Sequence, residues 1–208
     1  MTAMRLDQLR QYSDILRTRS GEALTVRFVE PRDAEELRHY FRSLSMSSRY
    51  NRFFRPVSEV PSSLLEQFIH VGEADRFSVV ATMRVDGFEK IVGEACYVFH
   101  GEDASIEFAL SISNNWQGHG IGKAILRNLE CRAASFGAHR IYGDTLHDNK
   151  SMIALARRAG YGFTNSPVDW TATRFEKHVD AEPRGIPCAT WRLEAIERQQ
   201  AAHAAPKG

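Results

Sequence analysis

The stretch SIEFALSISNNWQGHGIG, residues 105–122, changes period half-way along. In its first half Ile106, Phe108, Leu110 and Ile112 fall on one face of a strand, and Glu107, Ala109 and Ser111 on the other. Its second half spaces glycines at 118, 120 and 122. Beyond them Ile121, Ile125, Leu129, Ala133 and Phe136 recur every three or four residues, which predicts a helix that stops at Gly137. A helix N-terminus leaves backbone N–H groups unpaired and carries partial positive charge, so it suits a pyrophosphate. Glycines there remove the Cβ atoms that would hold the anion away from the backbone. Gln117, Gly118, His119, Gly120, Ile121, Gly122 and Lys123 are therefore the expected phosphate-binding loop.

Three kinds of phosphate loop compete for this segment. A Walker loop needs four residues between its glycine and Gly-Lys, followed by Ser or Thr. Here Gly118 and Gly122-Lys123 are separated by three residues, and Ala124 follows. A dinucleotide fingerprint fits Gly118 and Gly120 but requires a small residue where Lys123 stands. Asp144 lies near the distance expected of its ribose-binding acid, so that fit is weakened and stays open. The third fit is a resemblance: Gln117, Gly120 and Gly122 are similar to the Gln/Arg-x-x-Gly-x-Gly/Ala pattern of the GNAT acetyltransferase superfamily, and that resemblance implies a coenzyme A loop.

Upstream, residues 77–85 and 91–100 alternate as antiparallel neighbours joined through Asp86-Gly87, a hairpin turn pair. Residues 24–29 form an earlier strand, and Pro31-Arg32-Asp33 then opens a helix with Asp33 as its cap. Short helices are expected over 47–54 and 62–71. Leu6, Leu9, Ile15 and Leu16 stand at helical spacing, which makes residues 1–20 an amphipathic arm whose helix covers 5–17. Downstream come a strand at 140–145, a helix at 149–159, a strand beginning at 161 and a last strand at 189–196. The domain is expected over 21–196, with a frayed tail at 197–208.

Bulk properties narrow the partners. The chain has 208 residues, enough for one well-buried domain. Its 27 basic and 26 acidic residues leave a net charge of +1, so no charge imbalance points to nucleic acid or a membrane surface. No apolar run approaches a bilayer span and residues 1–20 hold no signal-peptide core, so the cytoplasm is the expected location. Cys96, Cys131 and Cys188 are odd in number and far apart, and are expected as reduced, small apolar residues. The eight histidines show no metal-ligand spacing, so no metal is expected.

The loop, the β-meander before it, and the helix that opens at Asn149 and ends in Gly160-Tyr161 together resemble the GNAT acetyltransferase superfamily over residues 22–180. The segments LSMSSRYNRFF (residues 44–54), EFALSISNNWQGHGIG and NKSMIALARRAGY are similar to the GNAT domains of Pat-type bacterial protein-lysine acetyltransferases. The resemblance implies an α/β (α+β) fold: a mixed, mostly antiparallel sheet with a splayed strand pair and flanking helices. It also implies acetyl-CoA as co-substrate and a primary amine as acceptor, either a protein lysine or a small molecule, with a homodimer as a frequent assembly.

Residue roles follow from that resemblance. Glu107, a single acid on a small-residue face ten residues before Gln117, sits where Pat-like domains carry their proposed general base. Glu94 on the neighbouring strand is the fallback base or an acceptor-binding acid. The backbone N–H of Leu110 corresponds to the oxyanion donor and Ile112 to the strand that pairs with the pantetheine arm. Asn149 contacts the coenzyme while capping its helix. Lys123 and Arg127 add charge near the phosphates, and Arg49, Tyr50, Phe53 and Phe54 form or support an acceptor wall. Many GNAT enzymes place a tyrosine seven residues after the asparagine; here that residue is Ala156. Either the thiolate leaves without an acid, or Tyr161 or Tyr142 supplies one. A non-catalytic acyl-CoA-binding module and a nucleotide-binding regulator remain as alternatives.

Overall fold

The alternation between residues 77 and 112 produces three long antiparallel strands around which everything else is hung. The computed structural model describes residues 13–71 and 75–179. In chain order these form β1 (Asp14–Arg17), β2 (Ala23–Phe28), α1 (Ala34–Ser43), α2 (Met46–Phe53), α3 (Ser62–Ile69), β3 (Arg76–Val85), β4 (Phe88–His100) and β5 (Ser105–Ile112). Then follow α4 (Ile121–Ser135), β6 (Arg140–Leu146), α5 (Lys150–Arg158), β7 (Gly162–Asn165) and β8 (Ala172–His178). The strand order is β1-β2-β3-β4-β5-β6-β8-β7, antiparallel throughout except between β5 and β6. Asp86 and Gly87 turn the β3–β4 hairpin with φ of 52° and 82°, both left-handed.

Helices cover the sheet on both faces, and register tells which. Glu94 pairs with Ser111, and Val98 with Glu107. Ser111 meets Tyr40 of α1, so this face carries α1 and α2. Gly93 and Ile112 face the other way, where the side chains of Ile112 and of Ile125 from α4 both close over Gly93. Phe41 anchors the first set by stacking within 5.3 Å of both Phe53 and Phe68. Asp33 stands at the N-cap of α1 but makes no side-chain capping bond to it: its carboxylate turns back to accept from the Glu30 amide and from two Arg27 nitrogens. Burial works against that carboxylate, but these hydrogen bonds hold its pKa below the usual range.

The single parallel pairing is short. Ser105, Ile106 and Glu107 pair with Arg140, Ile141 and Tyr142, and there the ladder ends. The next residue of β6 is Gly143, where an added Cβ would lie 2.7 Å from the Phe108 carbonyl and 2.7 Å from the Phe175 ring. Past this point β6 pairs with β8 alone, and β5 diverges from it.

Three expectations change. Residues 14–17 are a strand rather than the end of a helix. Asp14 and Leu16 are buried and Ile15 and Arg17 are exposed, the alternation of an edge strand. The cause is tertiary: Asp14 accepts from Arg132 and from Asn128 of α4, each at 2.8 Å, and Arg132 in turn donates to Asn128. Strand β8 was not expected, and the strand expected at 189–196 lies outside the described residues, as do the tail at 197–208 and residues 1–12 of the arm. Cys131 is disulfide-bonded rather than reduced, because sequence spacing carries no information about approach in space. Cys96 is a free thiol, and Cys188 lies outside the described residues.

Asp14→Ala leaves the fully buried Arg132 without its carboxylate. It is expected to cost about 3–5 kcal/mol in denaturant unfolding; a loss below about 1 kcal/mol would mean that β1 is not anchored through this pair. Gly143→Ala is expected to cost about 1–3 kcal/mol by overpacking against a backbone carbonyl. Unchanged stability would show that β5 and β6 have slack where they part.

Candidate active site

Where β5 and β6 diverge, a cleft of about 1820 Å³ opens. One wall is Phe108 to Ile112 of β5, and the other includes Asp144 and Thr145 of β6 with the start of α5. Gln117, Gly118, Gly120, Gly122 and Lys123 border one part of it, and Ser48, Asn51, Arg52 and Phe54 of the α2 region border another.

The loop has the geometry that its glycines suggested. Gly118 and Gly120 sit at φ of 82° and 86°, which a side chain rarely adopts. Gly122 lets Leu155 of α5 approach: an added Cβ would stand 3.2 Å from it. The first amide to enter the α4 ladder is that of Ala124, donating to the Gly120 carbonyl, so the amides of Ile121, Gly122 and Lys123 precede it, and Gly122 and Lys123 border the cleft. Gln117 reaches back to donate to the Ile112 carbonyl at 3.1 Å, tying loop to strand. His119 lies at 3.0 Å from the Gln117 carbonyl through Nδ1 and packs against Trp116. Asn149 caps α5, accepting from the Met152 amide.

Strand geometry orients the β5 amides. The Ser113 amide donates to the Val92 carbonyl on the β4 side. Alternation then turns the amides of Leu110 and Ile112 the opposite way, toward the gap left by β6. The gap is thus lined by backbone N–H groups that the sheet does not use.

Glu107 stands on the α1/α2 face at the last β5–β6 pair, opposite Tyr142, with its side chain half exposed and just outside the residues that border the cleft. The Tyr142 hydroxyl donates to its carboxylate at 3.4 Å, and His100 Nε2 lies 3.6 Å away. Burial and the Glu107 charge push the Tyr142 pKa up, so at neutral pH the phenol is a proton donor. Arg174 caps the Tyr142 ring from 4.5 Å and pairs through two nitrogens with Asp144. Tyr161 is remote from this cluster: its ring packs with Phe108 and Phe175 in the core, and burial raises its pKa well above the usual value.

Glu94 occupies a different place from the acceptor-contacting one expected. Its side chain is fully buried, it holds Arg52 through both oxygens (2.6 and 3.0 Å), and it accepts from Ser111 at 2.5 Å. Tyr40 lies 2.9 Å from Ser111 and extends the network to α1. Burial opposes the Arg52 charge, but Glu94 outweighs it and the guanidinium pKa is raised. Glu94 therefore stands behind the wall and braces it. Of the expected wall residues, Phe54 borders the cleft. Arg49 donates to the Arg42, Leu44 and Val57 carbonyls, and Phe53 packs on Phe41, so both hold the wall together from within.

Sequence reasoning missed Gly143, Arg52, Arg174 and the β1–β2 turn at residues 18–21. Gly143 had a readable signal, a glycine inside a strand, which marks a bulge or a close backbone approach. The other three depend on partners far away in sequence. Among the described residues no cluster of three or more His, Cys, Asp or Glu is placed to hold a metal ion, and no helix is long and apolar enough to cross a membrane.

The chain is similar to known proteins in sequence and in fold. Residues 39–161, more than half of the chain, match the acetyltransferase (GNAT) family. The chain is 26% identical over 151 residues to acetyltransferase PA5475 of Pseudomonas aeruginosa, covering 73% of this chain and 81% of that protein. It is 30% identical over 146 residues to acetyltransferase Pat of Mycolicibacterium smegmatis, covering 70% of this chain but only 43% of the relative. The crystal structure of the GNAT domain of S. lividans PAT superposes with a TM-score of 0.72 at 24% identity, over 80% of this chain and 97% of that domain. Parted strands, glycine loop and family match agree: this chain belongs to the acetyltransferase (GNAT) family and is an N-acetyltransferase.

Proposed function

We propose that the protein moves an acetyl group from acetyl-CoA to a primary amine, with Glu107 as general base. The observation that carries this reading is the pair of parted strands. Where they part they offer unpaired amides beside a helix N-terminus, and at the last pair before the gap they carry a half-exposed carboxylate. The loop at residues 117–123 takes the pyrophosphate. The pantetheine arm lies along β5, where the Ile112 amide donates to it while Gln117 occupies the Ile112 carbonyl. Asn149, whose carbonyl already caps α5, borders the same path.

Amide formation requires a neutral nitrogen, and an unperturbed lysine amine has a pKa of about 10.4. The amine nitrogen attacks the thioester carbonyl carbon, and the oxyanion that forms accepts a hydrogen bond from the Leu110 amide. Collapse re-forms the carbonyl, breaks the C–S bond and releases coenzyme A thiolate. The amine proton goes to Glu107. Three residues of strand, about 10 Å, separate Glu107 from Leu110, so a water carries that proton. Tyr142 and His100 hold the carboxylate in place from either side. A thiolate leaves readily, which suits the buried Ala156 where other members of the superfamily carry tyrosine. The acceptor is a protein lysine or a small amine; both present the same nucleophile to the same carboxylate.

Glu107→Gln is expected to bind acetyl-CoA within about twofold of wild type and to lose about 10²–10⁴-fold in turnover with lysine-containing peptides or polyamines. Equal turnover would remove Glu107 as the base. Wild-type protein that binds acetyl-CoA yet acetylates neither acceptor class would favour the non-catalytic binding module instead.

A further inference from the structure

The β1–β2 turn sits directly on the coenzyme loop. The Arg19 amide donates to the His119 carbonyl at 2.9 Å. At Gly120 an added Cβ would stand 3.2 Å from both the Arg19 amide nitrogen and its Cβ, so the turn is seated in the space that this glycine leaves. The turn is rigid on its own account. The Thr18 amide donates to the Glu22 carbonyl, Thr18 Oγ1 accepts from the Glu22 amide, and Gly21 takes the left-handed conformation at φ +89°. Its other end is fixed by the buried contact of Asp14 with Arg132 and Asn128 of α4, the helix that the loop begins.

Charge around the cleft is one-sided once pairs are removed. The bordering acids Glu130 and Asp144 are each held by a cation, Lys177 and Arg174. Among the described residues Arg19, Lys123, Arg127, Lys150 and Arg158 border the cleft with no side-chain hydrogen bond or ion pair. Lys123 and Arg127 follow from their place on α4. Arg19 comes from a separate element, and its backbone touches the loop.

We propose that Arg19 is a phosphate-binding residue of the coenzyme site, delivered by the β1–β2 turn onto the outer side of the glycine loop. The inference rests on the acetyl-CoA reading above. Its guanidinium contacts the pyrophosphate or the 3′-phosphate, both of which suit a planar donor with several N–H groups. The β1–β2 hairpin is thereby part of the coenzyme site as well as an edge of the sheet.

Calorimetric titration of wild type, Arg19→Ala and Arg19→Glu with acetyl-CoA and with 3′-dephospho-acetyl-CoA tests this at two salt concentrations. Arg19→Ala should weaken acetyl-CoA binding about tenfold, and Arg19→Glu further, with unchanged thermal unfolding midpoints. The gap from wild type should narrow as salt rises. A loss confined to acetyl-CoA assigns Arg19 to the 3′-phosphate, and an equal loss with the dephospho compound assigns it to the pyrophosphate; either supports the proposal. Variant affinities equal to wild type, or a gap indifferent to salt, would overturn it while leaving the coenzyme reading intact. Failure of wild type to bind acetyl-CoA would instead overturn that reading, and the proposal with it.

Discussion

The contact on which the rest depends has no spare room: Gly143 of β6 against the Phe108 carbonyl of β5 and the ring of Phe175. A sheet normally consumes its backbone hydrogen-bonding groups in the ladder, and a buried edge with unused donors is costly. Here the strands separate after three pairs, and the donors they release face a cleft. On the proposed reading, an extended amide-containing ligand restores what the ladder gave up. The same divergence puts the end of β5 beside the glycine loop and begins directly after Glu107, the last β5 residue to pair with β6. In the proposed function, the covalent chemistry and the coenzyme site are thus two consequences of one gap in the sheet.

Charges are divided by burial. Those inside the protein are paired and brace its walls: Glu94 with Arg52 ties α2 to β4 and β5, and Asp14 with Arg132 ties β1 to α4. Removing one partner of such a pair is expensive, which makes these positions structural constraints even though the pair itself contributes little net stability. Around the glycine loop, among the described residues, Arg19, Lys123 and Arg127 have no side-chain partner and are available to an anion. The overall charge of +1 hides this division. Net charge spoke against nucleic acid and membranes, but it was silent about a polyanion of coenzyme size.

How much was legible follows the range of the interactions. The shape of the loop at residues 117–123 was readable because it is set by backbone: the glycines and the periodic apolar residues after them pointed to a loop running into a helix, and the structure adds left-handed φ at Gly118 and Gly120. The alternation around Glu107 gave its face correctly, since strand parity is local. Glu94 looked just as available in sequence, and only Arg52, 42 residues away, and Ser111 show that it is a brace. Residues 14–17 carry apolar residues at a spacing that fits a helix over so short a span. Pairing with β2 and the burial of Asp14 against α4 decided for a strand. Arg19 gave no signal at all, because its meaning comes from a contact with His119 a hundred residues on.

The central claim is that the gap between β5 and β6 and the loop beside it hold acetyl-CoA. The most direct measurement is calorimetric titration of the intact protein with acetyl-CoA, ATP and NAD, repeated on Gly120→Glu. That substitution puts a carboxylate at a left-handed position of the loop and against Arg19. Saturable binding of acetyl-CoA alone, abolished by the substitution, is the predicted result. Binding of ATP or NAD in preference to acetyl-CoA, or acetyl-CoA binding that survives the substitution, would contradict it.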